Sequence, residues 1–205
     1  MNRSLLIIIW TITMQHNVSA QSKMVFENYN YWGQHSSAVF VPMIHIETKN
    51  NWYAEIRYNY EADQTLSVFA GKSFYGGNKI TYSITPLVGI SAGLFSGASF
   101  ATNADVEWDN FYFSSQSQFS RSFKKEIPDF FFTWSEAGYN ISPNIFAGLA
   151  LQYTRQLASN EAEPGIMAGI NFKNFSIPFY VFKPFHSGGY FVLGLNYEYN
   201  LRKRK

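Results

Sequence analysis

Between Asn51 and Glu61 the chain reads NWYAEIRYNYE, and apolar and polar side chains alternate almost without exception. Trp52, Ala54, Ile56, Tyr58 and Tyr60 share one parity; Tyr53, Glu55, Arg57, Asn59 and Glu61 share the other. A strand turns successive side chains to opposite faces, so this segment predicts a strand with one apolar and one charged face. The same period recurs in KITYSITPLVGISAG, where Ile80, Tyr82, Ile84, Pro86, Val88 and Ile90 oppose Thr81, Ser83, Thr85 and Ser91. NIFAGLALQYTRQ and PGIMAGINFKN repeat it, with Phe146 and Met167 out of pattern. Matches to one template in several segments identify strands rather than short ambiguous runs.

Turn signals punctuate these segments at 48–51, 61–64, 75–78, 95–99, 108–110, 124–129, 141–144, 159–165, 173–175 and 184–189. Their spacing is about 10 to 16 residues, the length of a tilted membrane strand with its turn. Strands are predicted over 38–47, 51–61, 65–74, 79–91, 100–108, 110–122, 129–140, 144–156, 164–173, 175–183 and 189–199. Single-chain bacterial barrels take an even number of strands, and NYNYWG near 28–33 supplies a twelfth. Ten is the alternative. No helical periodicity of useful length, linker or second domain is evident.

Composition narrows the choice of solvent. Aromatic residues make up 19% of the 205 and charged residues only 15%, where water-soluble domains average about a quarter charged. The 20 phenylalanines and 14 tyrosines suit girdles at a membrane interface. A net charge of +2 gives no case for a nucleic-acid partner, and the absence of cysteine excludes disulfides and thiolate chemistry.

The chain opens MNRSLLIIIWTITMQHNVSAQS, with Arg3, an apolar run from Leu5 to Met14 and the small-residue ending Val18-Ser19-Ala20. That pattern predicts a secretory signal removed after Ala20. The run is shorter than the about 20 residues a spanning helix needs, which disfavours a retained anchor. The expected organisation is a signal over 1–20, an N-terminal segment or first strand over 21–36, a barrel over 37–200 and a basic tail over 201–205.

A soluble sandwich would show the same alternation. Against it, polar positions are often Gly, Ser, Thr, Gln or Asn rather than the Lys/Glu of a water-facing sheet. The last segment, GYFVLGLNYEYNL, places Phe191, Leu193, Leu195, Tyr197, Tyr199 and Leu201 on one face. Here the chain resembles the outer-membrane β-barrels of Gram-negative bacteria, whose closing strand carries a similar aromatic alternation read by the insertion machinery. The resemblance covers most of the chain and implies an all-β, closed, antiparallel transmembrane barrel of 10–12 strands in the outer membrane. The tail LRKRK departs from the usual terminal aromatic. FYFSSQSQF and FFFTWSEAGY look like segments of small Bacteroidota barrels of unassigned function, and carry no activity over.

On this reading Trp52, Tyr58, Tyr60, Trp108, Tyr153, Tyr197 and Tyr199 are expected at the lipid interface. The expected lumen lining is Glu55, Arg57, Asn59, Asp105, Glu107, Gln116, Gln118, Gln152, Asn171, Lys173, Asn196 and Glu198. Lys72 is ambiguous, and Arg57 is expected to pair with Asp105 or Glu107. Such a lining fits a porin-like channel for small solutes; the same charges bonded to one another fit a plugged structural or adhesion barrel. A lipid-modifying enzyme is a third reading. His35 and Ser37 stand two apart, as histidine and serine do in outer-membrane phospholipases and lipid A deacylases. The expected partners are outer-membrane lipid, the insertion machinery and small solutes, with no nucleic acid. No catalytic constellation, metal-ligand spacing or cofactor motif is expected. Gly71-Lys72-Ser73 falls inside a predicted strand and follows no glycine-rich loop.

Overall fold

A computed structural model describes residues 22–33, 38–157 and 159–201. His35 and Ser37, the signal segment and all but Leu201 of the tail lie outside the described residues. The strands are β1 (Ser22–Trp32), β2 (Val39–Glu47), β3 (Trp52–Tyr58), β4 (Leu66–Lys72), β5 (Phe74–Gly77), β6 (Ile80–Ala92) and β7 (Gly97–Trp108). They continue with β8 (Phe111–Ser122), β9 (Phe130–Ser142), β10 (Ile145–Gln156), β11 (Ser159–Phe172), β12 (Phe175–Phe182) and β13 (Tyr190–Leu201).

Sequence neighbours pair except β4 and β5, and β1 pairs with β13 from Ser22↔Leu201 to Trp32↔Phe191. β4 lies between β3 and β6, which completes the circle. β5 prolongs β4 along β6 in unchanged register, from Gly71↔Leu87 to Phe74↔Ile84. The interruption at Ser73 lies opposite Thr85 and Pro86, where proline brings no N–H to the ladder. With β4 and β5 counted as one staved strand, the wall is a closed antiparallel barrel of twelve.

The outer face settles which side meets hydrocarbon. Val88 is 63% exposed, Ile90 65% and Leu149 63%, all in mid-strand, within a continuous belt of exposed aliphatic and aromatic side chains. An apolar surface that wraps the whole molecule is a lipid-facing surface, and closure leaves no strand edge unpaired within it. Ser22 and Leu201 lie at the end with tight connections, such as Asp109–Asn110 and Lys173–Asn174; the longer loops 59–65, 123–129 and 183–189 lie at the other. Short turns beside the termini mark the periplasmic end of such a barrel.

Two outer-face patches are polar yet satisfied. Ser115 and Ser135 bond at 2.9 Å and Ser117 and Thr133 at 2.8 Å across β8 and β9. On β1, Asn28 donates to Asn30 at 3.1 Å, and Asn30 donates to the Leu193 carbonyl at 3.2 Å. β1 therefore reads backwards, with asparagine outward and Tyr29 and Tyr31 inward. That inversion hides the strand's start at Ser22 from a search for apolar alternation.

Candidate functional site

The interior begins with rings. Inward residues of β9 to β13 form a buried cluster of Trp134, Ala150, Met167, Tyr180, Phe182, Tyr190 and Val192. Tyr180 and Phe182 stack at 5.9 Å, Phe182 and Tyr190 at 5.1 Å, and Trp134 meets Tyr180 edge-on at 5.2 Å. Glycines seat these rings. A Cβ on Gly165 would stand 2.7 Å from Phe182, and one on Gly169 would stand 2.2 Å from Phe146. Phe146 and Met167, the residues that broke the alternation, are thus inward side chains that fill the barrel.

The facing wall is polar. Arg57 on β3 is 1% exposed and donates to Glu55, and its Nη1 donates to Gln118 Oε1 at 2.8 Å. Nη1 also stands 3.8 Å from Glu61 Oε1. The guanidinium lies over the rings of Phe69 at 4.3 Å and Tyr60 at 4.5 Å, a desolvated cation–π arrangement. Tyr53 donates to Glu55 at 2.6 Å, and Ser67 donates to Glu61. The expected pairing of Arg57 with Asp105 or Glu107 is therefore corrected: its partners come from its own strand, the following loop and β8. Removing either charge from such a buried pair strands the other, so the network is held as a unit.

Tyr60 is a second correction. Strand parity would turn it to lipid, but β3 ends at Tyr58 and Asn59 takes a positive φ of 59°. Asparagine tolerates that conformation, and here its side chain clasps the loop. Asn59 donates to the Phe40 carbonyl at 3.0 Å and accepts from the Gln64 N–H at 2.7 Å. The reversed parity swings Tyr60 inward, where it donates to Gln116 at 3.2 Å and meets Phe132 edge-on at 5.6 Å. Asn59 itself sits at the loop-side mouth. Burial pushes the Glu61 carboxyl in this loop upward, and Arg57 opposes the shift.

These walls divide the lumen into two cavities. The periplasmic one, about 520 Å³, is lined by six carboxylates (Glu27, Glu47, Asp105, Glu107, Glu136, Glu198) and among cations by Lys23 and His45. The loop-side one, about 440 Å³, is lined by Glu61, Asp63, Glu161 and Glu163, with no lysine or arginine in its lining. Both cavities touch Tyr31, Val41 and Tyr60, which form a waist between them. Lys183, at the loop-side rim, bonds Glu161 at 2.8 Å and Glu163 at 2.6 Å, and these bonds raise its ammonium pKa.

Of the other expected lining residues, Gln116 lines the periplasmic cavity and Gln118 and Gln152 the loop-side one. Gln152 donates to Tyr31 and accepts from Tyr190. Asn171 is inward, opposite Ser176, and Asn196 donates to Tyr29 at 3.3 Å. Lys173 departs from expectation: it lies in the β11–β12 turn with φ 55°, its ammonium 5.2 Å from the Phe172 ring. Trp52, Tyr58, Trp108, Tyr153, Tyr197 and Tyr199 stand on the outer face, and Lys72 joins them, 5.7 Å over Trp52. His45 stacks on Tyr53 at 5.1 Å and stands 3.7 Å from Glu27, with no nucleophile among those partners. Among the described residues no group of three metal-ligating side chains is found. The strand parities pointed to Glu55, Arg57 and Asp105; what they could not signal was Tyr60, Glu27 and Glu136 as interior groups.

No family model matches the chain, and no curated protein matches its sequence. Solved structures do. A KdgM porin superposes with a TM-score of 0.64 at 12% identity, covering 86% of this chain and 99% of that one. A KdgM porin in complex with disordered oligogalacturonate gives 0.58 at 14%, covering 87% and 99%. A NanC porin gives 0.53 at 8%, covering 85% and 98%. The chain has the fold of an outer-membrane porin.

Proposed function

We propose that this protein is a porin-like channel that passes small solutes through a charged lumen in the bacterial outer membrane. On this reading residues 1–20 are removed on export, and the barrel insertion machinery delivers the rest into outer-membrane lipid. The observation that carries the proposal is the pair of carboxylate-lined cavities, about 520 and 440 Å³, that meet at one waist inside a closed barrel. At 8–14% identity the likeness to solved porins speaks for the fold and leaves the solute to this chain's own lining. The test is swelling of liposomes carrying the refolded chain 21–205 in sugars of graded size. Swelling with a size cutoff is expected.

A plugged barrel is the competing reading, and it draws on the buried ring cluster of β9 to β13. Inserted protein that neither swells liposomes nor does so after Tyr60→Ala would favour the plug.

A further inference from the structure

The chain's net charge is +2, yet its interior carries the opposite sign. Cations cluster at the turns and rims: Lys49, Lys79 and Lys173 at the short-turn end, Lys124, Lys125 and Lys183 at the long-loop end. Carboxylates line the space between. Within the two cavities and their waist the lysines and arginines are already committed. Arg57 is bound to Glu55 and Glu61, and Lys23 stands 3.6 Å from Glu47.

Two of the remaining periplasmic-side carboxylates are held by neutral donors, which fix their position without cancelling their charge. Glu136 accepts from Trp134 Nε1 at 2.8 Å and Tyr180 O–H at 2.7 Å. Asp105 accepts from Ser83 at 2.8 Å. On the loop side, Glu163 accepts from Tyr190 at 2.9 Å but is also ion-paired with Lys183, which bonds Glu161 as well and so offsets part of the charge there. On the Asp105 wall, the buried oxygen of Asn103 has no hydrogen-bond partner and adds an unused acceptor to the same lining. The aromatic faces of Tyr29, Tyr31 and Trp134 border the periplasmic cavity, and such faces attract cations beside carboxylates.

We infer that the lumen selects cations over anions, so that among charged solutes it favours small positive ones, inorganic ions and organic ammonium groups alike. This rests on the channel reading above. Clefts lined by one sign of charge between low-dielectric walls concentrate the opposite ion, and rings of Asp and Glu are how cation channels do so. A polyanion would be excluded by the same field. The field is strongest in the periplasmic cavity, where six carboxylates face only Lys23 and His45.

The experiment is a planar-bilayer recording of the refolded chain 21–205 in a KCl gradient, with the reversal potential converted to a permeability ratio. Potassium is expected to exceed chloride by about 10-fold, the scale on which a charged cleft enriches its counter-ion. The exposed pair Asp105→Asn with Glu107→Gln is expected to lower that ratio while conductance persists. Conductance with equal or greater chloride permeability overturns the inference and leaves the channel reading standing. A ratio unmoved by the double substitution overturns the role given to the periplasmic cavity. Inserted protein with no conductance overturns the channel reading itself, and the inference falls with it.

Discussion

On the β9–β13 side of the barrel interior, aromatic rings lie against glycines and against one another. On the β3–β8 side, an arginine, carboxylates, amides and hydroxyls bond across the lumen over a small apolar base of Tyr53, Phe69, Leu87 and Ala101. Both sides are built by the same strand parity and both exclude water locally. They fail differently when altered. A ring cluster loses packing in proportion to the volume removed, whereas a polar network loses its partners' satisfaction all at once.

The sharpest way to break this contrast is Arg57→Leu. It leaves Glu55 and Glu61 buried without their counter-charge, at a cost of about 3–5 kcal/mol, read from the denaturant midpoint of the folded barrel in detergent. Phe182→Ala tests the other side and should cost about 3 kcal/mol by the same measurement, without opening the waist. Tyr60→Ala removes the ring shared by both cavities; single-channel conductance should rise, with a stability loss of about 2–3 kcal/mol from the lost ring contacts and the hydrogen bond to Gln116. Gly169→Leu drives a side chain into the seat of Phe146 and should cost about 1–3 kcal/mol. Lys173→Gln, in an exposed turn, should leave stability within about 0.5 kcal/mol and conductance unchanged. An effect as large as that of Arg57→Leu would mean the turn is coupled to the lumen.

The wall was easier to read than its contents, and for a physical reason. Hydrocarbon enforces apolar side chains on nearly every outward position, so alternation in segments such as 80–91 and 145–156 marks both strand and orientation. Nothing enforces one chemistry inside. Phe146 and Met167 look like errors in a two-residue pattern until their glycine seats on neighbouring strands are known, and those seats depend on register. Tyr60 obeys the pattern of its neighbours and points the other way, because one left-handed residue, Asn59, ends the strand before it. Glu27 is inward on a strand whose outward asparagines conceal it. The partner of Arg57 was open to sequence only as a choice of signs; distance along the loop decided it.

The seam between β1 and β13 has a consequence for how the molecule is made. Its two edges are the strands farthest apart along the barrel's sequence, and Ser22 meets Leu201. Until the final strand arrives, β1 presents a row of unpaired amides and carbonyls, which hydrocarbon does not tolerate. This pairing carries the largest loop-closure cost in the barrel, and the hairpin pairings around the wall offset it. Loss of either edge strand would leave its partner's amides and carbonyls facing hydrocarbon, so the two ends of the barrel sequence are needed together.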